Sequence, residues 1–188
     1  MRYLLIKILI FNILISTPSI ANTLSDEQAN VGVKIFQSVC FINAFQPEKI
    51  KEIANQKFTK FPDDKKQIWL KFTKSKTGDA WAAIFPNKGH FIIVLSDAGN
   101  CHLIAKNLNK DRAHEKIKDL GKQAENNFSN VEVKFNKTKS DQTIKSSGFE
   151  LFYNESNTPN IVVVLSTPLS DSDKTRPAAL MTVATASY

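Results

Sequence analysis

The sequence has little of what several large enzyme classes require. It contains six glycines in 188 residues, and none of them form a loop with phosphate-binding spacing. It also lacks the Gly-x-Ser-x-Gly elbow of a serine nucleophile, and the stretches Ser96-Asp97 and Ser146-Ser147-Gly148 have the composition of turns. The sequence therefore gives no sign of a P-loop nucleotide-binding enzyme or of an α/β-hydrolase.

Histidine is also scarce, with only His90, His102 and His114. A turn at residues 97–100 would pair His102 with Leu95, five positions from His90. This pairing separates the two imidazoles by about 16 Å and directs them to opposite faces of a sheet. His114 lies in a predicted helix without the second histidine four residues away that a zinc helix needs. We expect no metal and no other cofactor.

The main apolar run is at the N-terminus, where residues 8–15 follow Arg2 and Lys7. Together with Ser19-Ile20-Ala21, this pattern predicts a secretory signal peptide cleaved between Ala21 and Asn22. An uncleaved anchor is the alternative, but crossing a membrane takes about 20 apolar residues. We expect an exported protein, periplasmic or secreted, with no transmembrane span after processing and with residues 22–188 forming one domain.

Only two cysteines are present, Cys40 and Cys101. Because compartments beyond the inner membrane are oxidising, export favours a disulfide between them. Two buried free thiols are the alternative. A redox role is disfavoured because the cysteines lack Cys-x-x-Cys spacing.

The net charge is +7, and lysine supplies most of the positive charge. Beyond the predicted signal peptide the only arginines are Arg112 and Arg176, so sequence-specific nucleic-acid binding is not expected. Lysines are concentrated in one segment, where they outnumber acidic residues by five: Lys49, Lys51, Lys57, Lys60, Lys65, Lys66, Lys71, Lys74 and Lys76. This segment is a candidate contact for an anionic surface, or else the solvated face of a helix.

Two helices are predicted at the start of the exported chain. Ser25-Asp26-Glu27-Gln28 has the form of a capping box, and an apolar stripe from Val31 to Ile42 follows it. Pro47 fits the first turn of a second helix, whose stripe runs from Ile50 to Phe61. We expect these two helices to form a hairpin.

From Ile68 onward, short apolar runs separated by turn residues predict strands. The runs are 68–72, the least certain, then 80–85, 91–95, 101–106, 131–135, 149–153, 161–165 and 180–186. A helix over residues 110–126, capped by Asn109, interrupts them. The predicted fold class is α+β, with an N-terminal helical hairpin and one further helix on one face of a mostly antiparallel sheet.

Part of the sequence resembles small uncharacterised exported proteins of Gram-negative bacteria. The residues that carry the resemblance are Cys40, residues 80–82, Gly89-His90-Phe91, residues 97–101 and Lys106. The resemblance implies a periplasmic or lipid-anchored α+β domain with paired cysteines and implies no activity. This chain lacks the lipidation cysteine of some members.

These features favour an exported soluble binding or accessory module of the cell envelope. Its partner would be a protein or an anionic envelope surface. One alternative is a secreted hydrolase whose site combines His90 or His102 with a distant Asp or Ser. Another is a secreted inhibitor or effector that makes contact through residues 166–177.

Overall fold

The computed structural model describes residues 20–128, 130–140, 143–153, 158–170 and 177–186. Within them the chain forms four α-helices and one eight-stranded antiparallel sheet, which confirms the α+β class. The helices are α1 (Ile20–Ile35, continued by a π-helix, Phe36–Phe41), α2 (Pro47–Lys57), α3 (Asp63–Phe72) and α4 (Lys110–Asn127). The strands are β1 (Thr59–Lys60), β2 (Gly78–Phe85), β3 (Gly89–Ser96), β4 (Cys101–Ala105), β5 (Val131–Ser140), β6 (Ile144–Tyr153), β7 (Asn160–Pro168) and β8 (Ala179–Ala186).

Most of the predicted signal peptide lies outside the described residues, which begin at Ile20. Helix α1 also starts there, so the predicted start at Ser25 is wrong. Ser25 and Asp26 lie inside α1, and both contact the start of α4. The carbonyl of Ser25 accepts from the amide of Asn109, and the carboxylate of Asp26 accepts from the Asn109 side chain at 2.6 Å. The cleavage after Ala21 remains a prediction.

The π-helix explains why the apolar stripe of the first helix departs from the predicted one. Its wider turn buries Phe36, Val39, Cys40 and Phe41 together. Ile42, expected on the same stripe, is instead 66% exposed.

Helix α2 begins at Pro47 as predicted, but it ends at Lys57 and not near Phe61. It packs on the π-helix and on the first half of the sheet, whereas α1 packs chiefly on α4. The predicted pairing of the first two helices as a hairpin is therefore not confirmed.

Residues 68–72 form the end of α3 and not a strand, which corrects the least certain strand prediction. Pro62 precedes the helix, and Asp63 and Asp64 lie in its first turn, where negative charge is favourable. Leu70, fully buried, anchors α3 to the sheet.

The sheet order is β1-β2-β3-β4-β8-β7-β6-β5, so β4 and β8 join two antiparallel meanders. One face carries the larger core under α1, α2 and α4. The other face carries a smaller core of Leu70, Ala80, Ile92, Val94 and Ile104 under α3. The three helices that the sequence predicts therefore share one face, and α3, which the sequence does not predict, packs on the opposite face over β2 and β3.

Helix α4 agrees with its prediction. The side chain of Asn109 caps it by accepting from the amide of Arg112 at 3.1 Å. The predicted stripe, Ala113, Ile117, Leu120 and Ala124, is buried against the sheet.

Candidate functional site

The lysines predicted as one anionic-surface contact divide into two groups. Three of them converge on Asp79, with Lys60, Lys51 and Lys66 Nζ at 2.9, 3.5 and 3.8 Å from its carboxylate oxygens. Burial favours a raised pKa for Asp79, but the hydrogen bond from Lys60 and the charges of the three lysines outweigh it and lower that pKa. These three lysines are therefore paired within the fold and share the single negative charge of Asp79.

The other six lysines are exposed and form no salt bridge within the described part of the chain: Lys49, Lys57, Lys65, Lys71, Lys74 and Lys76. Lys49 and Lys57 lie on α2. The remaining four lie on α3 or directly after it. Four of the six lysines without a salt bridge therefore lie on or just after α3, whose first turn also carries Asp63 and Asp64.

The same helix exposes large apolar side chains. Ile68 is 55% and Phe72 39% exposed, and their spacing of four residues makes them neighbours on the helix surface. Trp69 stacks on Phe72 with ring centroids 6.0 Å apart, and the Lys106 ammonium lies 5.9 Å from the Trp69 ring centroid. Aromatic and cationic groups therefore share one surface.

This apolar surface continues from α3 onto the sheet. Phe72 lines a cavity of about 250 Å³ together with Ile144 and residues of β7 and β8. Ile144 is 38% exposed, and Leu169, which follows β7, is 49% exposed. We define the α3 patch as Ile68, Phe72, Ile144 and Leu169. Apolar surfaces of this kind on a folded protein mark contacts with partners or membranes.

A second site lies on the other face, where α4 crosses β6 and β7. The Nδ1 atom of His114 lies 2.5 Å from Ser147 Oγ, and its Nε2 atom lies 2.9 Å from Thr167 Oγ1. Thr167 is 2% exposed and its hydroxyl is 3.5 Å from the carbonyl of Lys145. If Thr167 donates to that carbonyl, it accepts from Nε2, so Nδ1 accepts from the Ser147 hydroxyl.

The imidazole of His114 is held neutral. Burial lowers its pKa from 6.5 to about 4, and the charge of Lys145 acts in the same direction against a smaller opposing effect of Asp111. The carboxylate of Asp111 accepts a 2.9 Å hydrogen bond from Lys145, which lowers the pKa of Asp111. These groups border a pocket of about 450 Å³, which we call the His114 pocket. Its lining includes His114, Lys118, Phe135, Lys145 and Ser147.

Sequence reasoning missed this site. It assigned Ser147 to a turn, but the residue lies inside β6. The partners of His114 are 33 and 53 residues away, so no local motif could indicate them.

The other two histidines do not lie where the sequence predicted. His102 pairs with Val94, four positions from His90, so the two histidines lie on the same face of the sheet and not on opposite faces. The last pair before the turn is Leu95 with Cys101, which leaves five residues between the paired positions where four were expected and changes the register by one. His102 is 6% exposed, its Nδ1 atom lies 3.0 Å from Thr182 Oγ1, and burial lowers its pKa to about 4.

The two cysteines are joined, as expected, with Cα atoms 5.5 Å apart. Among the described residues, no cluster of three or more His, Cys, Asp or Glu side chains could hold a metal ion. Nor does any described helix have the length and apolar character needed to cross a membrane.

Comparisons with protein-family models, curated proteins and solved structures find no match for this chain. The resemblance to exported proteins of Gram-negative bacteria therefore stays an expectation from the sequence.

Proposed function

We propose that this protein is an exported domain that attaches peripherally to an anionic membrane surface through the α3 patch. The observation that carries the proposal is the exposure of Ile68 and Phe72 on a helix that also carries the unpaired cations Lys65 and Lys71. Insertion of such apolar side chains among lipid headgroups, with lysines around them, is how interfacial helices bind.

The composition of the surface favours lipid over a protein partner. Lysine is depleted at protein interfaces, whereas its long chain lets the ammonium reach headgroups while the stem covers apolar surface. Each lysine near an anionic surface contributes about 1 kcal/mol. Trp69, beside Phe72, is a residue type enriched at membrane boundaries.

Export is the second part of the proposal. It is supported by the signal-like segment, residues 1–21, and by the Cys40–Cys101 pair, which suits an oxidising compartment. Mass spectrometry of protein recovered from the periplasm or medium should show the loss of residues 1–21 and of two hydrogens. Full-length mass in the cytoplasmic fraction would contradict export.

Vesicle flotation tests the membrane proposal. The disulfide-bonded protein should float with vesicles containing phosphatidylglycerol and not with pure phosphatidylcholine vesicles. High salt should weaken the interaction because it screens the lysines. Equal flotation with both vesicles, or none with either, would contradict the proposal.

Matched variants locate the contact. Lys65→Glu with Lys71→Glu should abolish flotation, whereas Lys49→Glu with Lys57→Glu, the same charge change on α2, should retain most of it. Ile68→Ser should weaken flotation, and Ile42→Ser, at a more exposed position outside the patch, should not. If the double variants of α3 and α2 float to the same extent, and Ile68→Ser floats as well as Ile42→Ser, the α3 patch is not the contact.

A serine-type hydrolase is the second candidate, and the contact of His114 with Ser147 is the observation that favours it. A general base works best with a pKa near the working pH, but burial and Lys145 disfavour the imidazolium that such a reaction forms. The second ring nitrogen of His114 also contacts the Thr167 hydroxyl and not a carboxylate, so we propose binding rather than hydrolysis at this site. A fluorophosphonate probe should leave Ser147 unlabelled, and labelling of Ser147 would establish the hydrolase.

A further inference from the structure

The His114 pocket has an aromatic wall that the fold leaves uncovered. Phe135, on β5, is 41% exposed and lines the pocket together with Ile117. Gly121 allows the ring to lie against α4, because a Cβ atom there would be 2.7 Å from Phe135 Cε1. The Phe135 ring therefore contacts α4 on one side and lines the pocket on another.

Two lysines line the same pocket as Phe135. Lys118 and Lys145 line the pocket, and Glu115, the one acidic residue among the described residues that line it, forms a 2.6 Å salt bridge with Arg112. Lys145 pairs with Asp111, which is 89% exposed, and such surface pairs contribute little. An incoming anion could therefore replace Asp111 at Lys145.

The pocket is also lined by the polar, uncharged side chains of Ser147 and Asn136 and by the neutral imidazole of His114. Ser147 Oγ is hydrogen-bonded to His114, and His114 to the buried Thr167, so the imidazole position is fixed from both sides. Gly148 also lines the pocket, and a Cβ atom there would clash with the carbonyl oxygen of Val163 on β7.

We propose that the His114 pocket binds a small organic monocarboxylate with an apolar tail. The carboxylate lies between Lys118 and Lys145, and the tail packs on Phe135. A pocket of about 450 Å³ falls within the usual range for small-molecule sites, roughly 300–1,000 Å³. This site is separate from the α3 patch and does not depend on membrane attachment.

Phenylacetate is a suitable probe, with phenylacetamide as its uncharged counterpart. In NMR titrations, phenylacetate should shift the amide resonances of Phe135 and Gly148 and the ring resonances of His114. Phenylacetamide should bind at least about tenfold more weakly because it lacks the charge.

Matched lysine variants complete the test. Lys118→Met with Lys145→Met should weaken phenylacetate binding about tenfold or more, whereas Lys49→Met with Lys57→Met should leave it unchanged. Three results would each overturn the proposal: no shifts with millimolar phenylacetate, equal binding of the amide, or equal loss in both double variants. Vesicle flotation should be unaffected by the pocket variants, so the two proposals can fail separately.

Discussion

Cys40, fully buried in the π-helix, is bonded to Cys101, the fully buried first residue of β4. Strand β4 is where the two meanders of the sheet meet, since it pairs with both β3 and β8. The disulfide therefore ties the helical layer to the centre of the sheet across 61 residues of sequence.

Removing this disulfide should destabilise the protein strongly. On the chain-entropy view, a loop of this length is worth roughly 4 kcal/mol, because the cross-link restricts the unfolded chain. Urea unfolding of Cys40→Ala with Cys101→Ala should show a loss of that order relative to the oxidised protein. A loss below about 1 kcal/mol would mean that the cross-link contributes little to stability.

His102 should make the protein less stable in mild acid. The unfolded chain protonates this histidine near pH 6.5, but burial lowers its folded pKa to about 4. Between these pH values the unfolded state binds more protons, so stability is highest above pH 6.5 and falls as the pH decreases toward 4. A shift of this size corresponds to about 3 kcal/mol at most.

The variant His102→Asn isolates this effect. Its side chain can still meet Thr182 but does not titrate, so the fall in unfolding free energy between pH 6.5 and 4 should be reduced by about half, His114 supplying the rest. Urea unfolding across this pH range provides the measurement. An unchanged slope would show that His102 already protonates normally in the fold.

Asp79 should matter more for stability than an ordinary surface carboxylate. Asp79→Asn leaves Lys51, Lys60 and Lys66 close together without their anion, and we expect a loss of about 1–2 kcal/mol. Glu125→Gln removes the same charge from an exposed position on α4 and should change stability by less than about 0.5 kcal/mol. If Asp79→Asn and Glu125→Gln change the stability equally in thermal unfolding, the three salt bridges of Asp79 contribute nothing measurable to the stability.

Lys145→Met should raise the pKa of His114, because the lysine charge is one of the two causes that lower it. It should also raise the pKa of Asp111, which loses its hydrogen-bond donor. NMR titration of the His114 ring and of the Asp111 carboxyl measures both effects. If neither changes, Lys145 does not interact with these groups in solution.

Features with a local cause could be predicted from the sequence. Pro47 and Asn109 begin helices because proline suits a first helical turn and asparagine caps one. The sequence predicts a strand at residues 68–72 because its aromatic and branched residues favour strands. The residues that decide for a helix, Pro62 and Asp63, lie before the run.

Features set by distant contacts could not be predicted. The pairing of β4 with β8 joins residues about 80 apart, as His102 with Thr182 shows. The same holds for the His114 pocket, where the polar partners come from two other strands. The sequence predicts the lysines beside the α3 patch as a candidate surface, but the exposure of Phe72 depends on the side of the sheet on which α3 packs.

Fluorescence quenching tests most directly whether the α3 patch contacts lipid. Trp69 lies beside Phe72, whereas Trp81 is fully buried and hydrogen-bonded to Asn55 at 2.8 Å. Anionic vesicles with brominated acyl chains should quench the emission of the wild-type protein and leave that of Trp69→Phe unchanged. Equal emission of the wild-type protein with brominated and unbrominated vesicles would contradict membrane attachment through this patch.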